Sequence, residues 1–303
     1  MTYFEFTKRF PDENSAIDFI IASKYKDGYI CPKCGSKHKG IYHQKYNHRF
    51  LYCNNCKSEF SALKDTIFEN THLDLRMWLY TMNLVLVSRK GISALQLKRE
   101  LGMGSYQSAW RMLQQIRKAM EKDEYKETIE SVVEFDETYV SGKPRKNNDN
   151  SDNNDNKPKR GSGTSKAPVI GVKERNSGKV HAVAVNCNED GMQLSGKQLF
   201  AIIKKVCKCN HTVMTVQFLG YNILNKENEY NFVRLKTEHT VTYSLGDGIH
   251  TNGIERFWAI LKRNIYGMFH NVSVKYMQKY VTEFCYRPSH KDNNSSLVEP
   301  AII

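Results

Sequence analysis

At 303 residues, with 40% hydrophobic and 11% aromatic side chains, the chain is too long for one small domain and apolar enough to bury two or three cores. A formal net charge of +13 and a pI near 9.2 favour a polyanionic partner, nucleic acid ahead of a membrane surface. The longest apolar run, around residues 78–87, is broken by Thr81 and Asn83, which excludes a membrane span there.

The opening MTYFEFTKRFPDE carries acids and no continuous apolar stretch, so no secretory signal is expected and the chain is placed in the cytoplasm. Four of the eight cysteines fall in two Cys-x-x-Cys pairs, a metal-binding pattern of reducing compartments rather than a disulfide framework. Residues 1–25 hold one amphipathic helix, over 14–24, with Ala16, Ile17, Phe19, Ile20 and Ile21 as its apolar content.

Residues 26–60 read as a zinc ribbon. Cys31 and Cys34 precede Cys53 and Cys56 by 18 residues, the spacing at which two knuckles present four thiolates to one structural Zn²⁺. Between Lys24 and Lys57 stand eight basic residues, Lys45 and Arg49 among them, against the single acid Asp27. Tyr42, Tyr46, Phe50 and Tyr52 are interleaved with those charges. Basic and aromatic side chains on a small β module suit phosphate contacts, and the aromatics also serve as its minimal core.

Residues 61–125 form a helical region. Apolar spacing predicts helices over 73–87, 91–102 and 105–120, the last two joined by a glycine-containing turn. This is a helix-turn-helix candidate, with Ser105, Tyr106, Gln107 and Arg111 near the start of the reading helix. Any αα-hairpin shares the pattern, and the adjacent ribbon is what directs it toward DNA.

The stretch SVVEFDETYVSG (131–142) predicts a strand ending in the polar cluster of Asp136, Glu137 and Thr138. A carboxylate on a rigid strand suits a metal ligand, although such residues also form turns. The polar segment 143–167 reads as a flexible insertion. Strands follow over 168–173, 179–185, 212–216 and 238–243, with an amphipathic helix over 193–206, which predicts a mixed sheet flanked by helices. Cys207 and Cys209 read as ordinary thiols. A helix over 252–266 puts Ile254, Trp258, Leu261 and Ile265 on one apolar stripe and Asn252, Glu255 and Lys262 on another face. A last helix covers 273–286, stopped by Pro288 before the polar tail 291–303.

Together CPKCG, CNNC, FDETYVSGK, APVIGVKER and HTNGIERFWAILKR resemble bacterial insertion-sequence transposases of the DDE type. These carry an amino-terminal zinc ribbon and a helix-turn-helix, and are related to the eukaryotic Merlin transposons. The resemblance implies a multidomain α+β chain whose residues 126–290 form an RNase H-like mixed α/β catalytic domain. It implies acidic residues that hold two Mg²⁺ or Mn²⁺ ions about 4 Å apart for in-line phosphoryl displacement. Water would cut the strand at the element's end, and the freed 3′-hydroxyl would attack target DNA.

The partners implied are the element's terminal repeats, target duplex and further copies of the chain. By the resemblance Asp136 is the first metal-binding carboxylate, and Glu255 or Asn252 occupies the third position. Lys262 would contact a phosphate, and His250 would orient the group. The second Asp of the family is replaced by Val216, which has no oxygen to offer a metal. Gln217 is uncharged and points to the other strand face; Asp247 and Glu137 are the remaining candidate substitutes. The resemblance therefore implies either an impaired transposase or a silent DNA-binding derivative that acts as a repressor or regulator.

Overall fold

The computed structural model describes residues 1–44, 47–88, 90–123, 132–140, 166–185, 194, 196–206, 212–216, 222, 233–237 and 250–289. The chain divides into two compact units, Met1–Asp123 and Glu124–Ser289.

In the first unit, local capping chemistry starts the helices. α1 (Tyr3–Arg9) and α2 (Glu13–Lys24) each open at a capping box, Thr2 with Glu5 and Asp12 with Ser15. The sequence reading missed α1, whose single buried residue, Phe6, gives almost no helical periodicity. Strands β1 (Tyr29–Ile30) and β2 (Lys37–His38) form one antiparallel pair. β3 (His43–Gln44), β4 (Asn47–Tyr52) and β5 (Glu59–Ser61) form a three-stranded antiparallel sheet in that order.

Three helices follow, α3 (Leu75–Val87), α4 (Ala94–Glu100) and α5 (Tyr106–Asp123). Ser93 caps α4 through the Gln96 N–H at 3.1 Å. The helix ends where Gly102 takes a φ of 61° and the Met103 N–H reaches back to the Lys98 carbonyl at 2.9 Å. That left-handed residue turns the chain sharply into α5.

In the second unit one mixed sheet carries everything else. β6 (Val133–Val140), β7 (Ala167–Glu174) and β8 (Val180–Ala184) are antiparallel neighbours. β9 (Thr212–Val216) and β10 (Val233–Thr237) extend the sheet in parallel on the far side of β6. The strand order is β10-β9-β6-β7-β8, with β6 at the centre.

Strand alternation sorts β6 between two cores. Val133 and Phe135 join Leu199 and Ile203 of α6 (Gly196–Val206) on one side. Val140 joins Ile254, Trp258 and Leu261 of α7 (Asn252–Asn264) on the other, along with Met277 and Val281 of α8 (Val274–Ser289). Helices thus cover both faces of the sheet. α7 runs into a π turn, Ile265–Phe269, that the helical spacing did not foretell.

Two expectations change, and a third falls on residues that are not described. β6 does not end at Asp136: it pairs with β7 through Val140, and only its parallel pairing with β9 stops, at Phe135. The expected strand over 238–243 lies outside the described residues; β10, which the sequence reading did not predict, lies just upstream of it. α8 is not stopped short by Pro288 but runs to Ser289. Its last turns are held by burial, with Val281 to Arg287 buried throughout and a buried Glu283–Arg287 ion pair.

Gly171 lies opposite Asp136 on β7, beneath the indole of Trp258. A Cβ at this position would meet Trp258 Cη2 and Cζ2 at 2.5 Å, well inside contact distance. Gly171→Ala should therefore overpack a buried site and destabilise the protein by about 1–3 kcal/mol in urea unfolding. An unchanged unfolding midpoint would contradict this packing.

Candidate active site and metal centre

The four cysteines of the ribbon converge. Cys31, Cys34, Cys53 and Cys56 offer sulfur atoms within 4.8 Å of one another, with Cys31 to Cys56 at 3.7 Å and Cys34 to Cys53 at 3.6 Å. Four thiolates at the usual Zn–S distance around a tetrahedral ion stand about 3.8 Å apart, so the set fits zinc. The two knuckles have matching backbone bonds: Cys31 N–H to Ser36 O and Cys53 N–H to Ser58 O, both at 2.9 Å. The left-handed position of each is filled by Gly35 and Lys57. The Ser36 hydroxyl and backbone hold the Cys34 thiol down at about 6, while at Cys53 the backbone N–H bonds are outweighed by burial and the neighbouring Cys56 and Cys31 thiols, which push it up to about 11.

The second unit brings carboxylates together on one sheet face. Asp136 projects toward α7, where Trp258 Nε1–H donates to its Oδ2 at 3.1 Å and the Glu137 N–H donates to Oδ1 at 2.9 Å. Burial, the neighbouring Glu137 charge and the Glu255 charge push the Asp136 carboxyl up to about 8, against those two hydrogen bonds. A carboxyl so raised holds a proton at neutral pH, and a cation that replaces the proton relieves the same crowding.

Glu255 lies on the first turn of α7, where the Thr251 hydroxyl donates to its Oε1 at 2.8 Å. Lys262, two turns on, is half-buried; burial pushes its ammonium down while Asp136 pulls it back up. Asp136, Glu255 and Lys262 are thus electrostatically linked. Asn252 is exposed at the helix start. Glu137 is turned to the other face by strand alternation, although its charge still reaches Asp136.

The β6–β9 register carries information about Val216. Phe135 pairs with Thr215, so the next residue of each strand, Asp136 and Val216, stand abreast at the end of that ladder. Gln217 and Asp247 lie outside the described residues.

Sequence reasoning missed Glu134, two residues before Asp136 and therefore on the same face. Glu134 is only 2% exposed and accepts from Arg175 Nε at 2.9 Å and from the Ile254 N–H at 2.9 Å. It is a carboxylate lodged at the amino end of α7, where the helix dipole and unpaired N–H groups favour negative charge. Gly253 permits the approach, since a Cβ there would stand 2.6 Å from Glu134 Oε2. His250, expected to orient the acids, has its Nδ1 3.1 Å from Arg175 Nη2 and 3.6 Å from Glu134 Oε1. Strand periodicity read back from Asp136 would have exposed Glu134.

Among the expected DNA contacts, Tyr106, Gln107 and Arg111 are exposed near the start of α5, and Ser105 donates to Gln107 Oε1 at 2.9 Å. Lys45 lies outside the described residues, as do Cys207 and Cys209. Arg49 has partners within its own unit. Its guanidinium is engaged inside the unit, ion-paired to Glu13 and donating to the Thr71 and Leu73 carbonyls, because it ties β4 to the starts of α2 and α3.

Residues 128–288 match the model of the ISXO2-like transposase domain. A protein of Halobacterium salinarum from the transposable element ISH50 is 25% identical over 253 residues, 81% of this chain and 79% of its own length. With more than half of its length matched, and with the acids gathered inside that span, the chain belongs to the family of ISXO2-like transposase domains.

Proposed function

We propose that the chain is a DDE-type transposase that binds the ends of an insertion sequence and cleaves and joins DNA strands, in a form weakened at Val216. What supports this reading is that the Glu255 charge on α7 reaches the Asp136 carboxyl on β6 inside the family-matched span. Asp136 and Glu255 would hold a divalent ion, Mg²⁺ or Mn²⁺, which when bound stabilises negative charge on a phosphoryl group and sharpens an oxygen nucleophile.

The remaining parts act through this chain's own groups. Lys262 would place positive charge beside a scissile phosphate, and the Trp258 N–H would fix the orientation of the Asp136 carboxylate. Glu255 is favoured over Asn252 as the helix-borne ligand because its charge, and not an exposed amide, reaches Asp136. An RNase H-like core over 126–290 agrees with the five-stranded mixed sheet covered by helices on both faces. The ribbon (26–60) and the α4–α5 pair within 61–125 would deliver DNA to that core, with Tyr106, Gln107 and Arg111 as the reading residues.

Val216 favours a second reading, a catalytically silent DNA-binding derivative. It stands abreast of Asp136 where an acid would complete the set. The two readings separate on one assay, full-length protein with a duplex carrying the element's terminal repeats and Mg²⁺ or Mn²⁺. The transposase reading predicts salt-sensitive binding with little nicking by this chain and clear nicking by Val216→Asp, lost again when Asp136→Asn is added. An inert Val216→Asp variant with intact binding would instead establish the silent derivative.

Asp136 also makes a stability prediction. Its folded pKa, about 8, lies above the ordinary 3.8, so the folded metal-free protein binds one more proton than the unfolded chain between these values. The group is therefore neutral in effect below pH 4 and increasingly destabilising as pH rises to 8. Asp136→Asn should match the metal-free parent in thermal midpoint near pH 4 and exceed it at pH 8, and Mg²⁺ should narrow the gap by stabilising the parent alone. A difference independent of pH would contradict the raised carboxyl.

A further inference from the structure

A second group of metal-ligating side chains lies in the first unit, apart from the four cysteines. Asp18 in the middle of α2, His43 on β3 and His48 on β4 offer ligand atoms that all lie within 4.8 Å of one another. His43 Nε2 is 3.3 Å and His48 Nδ1 is 3.0 Å from the same oxygen, Asp18 Oδ1. The two imidazoles stack with centroids 4.5 Å apart and planes 16° from parallel.

The arrangement around a neutral His43 is unbalanced. Its Nδ1 lies 3.2 Å from the His48 carbonyl oxygen while its Nε2 faces Asp18, so an oxygen stands opposite each ring nitrogen. A neutral imidazole has one N–H and can satisfy only one of them. If Nδ1–H donates to the carbonyl, the Nε2 lone pair points at a carboxylate oxygen. If the ring is instead doubly protonated, it pairs with the Asp18 carboxylate, but its charge lies stacked against a second histidine.

A metal ion between the three atoms removes both conflicts. The Nδ1–H bond to a backbone carbonyl is then the outer bond that fixes the tautomer of a metal-bound histidine. Ligands at about 2.0–2.1 Å from a tetrahedral ion stand about 3.4 Å apart, close to the two separations from Asp18 Oδ1.

We propose that Asp18, His43 and His48 form a second metal site, for a first-row divalent ion of the zinc class, which clips α2 to the β3–β4 hairpin. Two imidazoles and one carboxylate select such ions over Mg²⁺ or Ca²⁺, which prefer oxygen. The three side chains are 49%, 21% and 31% exposed, so one side of the ion faces solvent and holds water or a partner's ligand. Unlike the closed four-thiolate site, this one exchanges its metal readily.

The test is a Co²⁺ titration of chelator-stripped full-length protein, with stoichiometry read by equilibrium dialysis and ribbon occupancy by the near-ultraviolet thiolate-to-cobalt bands. Full-length protein should bind one more equivalent than the His43→Ala/His48→Ala double variant, with equal thiolate bands in both. Asp18→Asn should weaken that extra equivalent by at least about tenfold. Equal stoichiometry in parent and double variant would overturn the site and leave a merely hydrogen-bonded cluster. Should the double variant lose its thiolate bands through unfolding, Asp18→Asn decides, and an unchanged Co²⁺ affinity there overturns the site.

Discussion

The docking of α7 onto β6 is the constraint from which the candidate active site follows. Glu134 accepts the Ile254 N–H at the amino end of the helix, and one strand repeat further on Asp136 accepts from the Trp258 indole. These two carboxylates are spaced by the strand's period of two, and their partners, residues 254 and 258, by about one helical turn. Two glycines, Gly171 beneath the indole and Gly253 beside Glu134, clear the space for that approach. Any shift of α7 along the sheet breaks both bonds and moves Glu255 relative to Asp136. Arg175 fastens the assembly from β7's end, bound to Glu134 and to His250.

The same docking concentrates negative charge. Asp136 is crowded by Glu137 and Glu255 in a partly buried setting and sits far above its ordinary range. Lys262 offsets some of this, being itself pushed down by burial. Such a cluster is unfavourable until a divalent cation enters, which is why a metal-dependent site is built from groups that repel one another in its absence. A further carboxylate at position 216, abreast of Asp136, would sharpen both effects. Under the proposed function, valine there would spare the metal-free fold a further charge and leave the metal without that oxygen ligand.

Much of this was legible because local patterns and tertiary structure agreed. The four-cysteine spacing found the thiolate cluster, and the apolar stripe of Ile254, Trp258 and Leu261 found α7 and its buried face. The strand over 212–216 came directly from its β-branched run. What stayed hidden depends on distant partners. Glu134 reads as an ordinary strand acid until the first turn of α7 arrives above it. Trp258 reads as core, yet its N–H serves Asp136. Arg49 reads only as one of the basic residues there, because sequence cannot reveal that Glu13 and two carbonyls engage its guanidinium. Pro288 reads as a stop because propensity does not weigh the burial that holds α8 together.

The central claim, that Asp136 and Glu255 share a divalent cation, is tested most directly by iron-directed backbone cleavage. Fe²⁺ bound in place of Mg²⁺, with ascorbate and peroxide, cuts the polypeptide next to its own site. The account predicts cuts near residues 136 and 255 that added Mg²⁺ suppresses. Cuts that fall elsewhere in the second unit, or that Mg²⁺ leaves untouched, would contradict it.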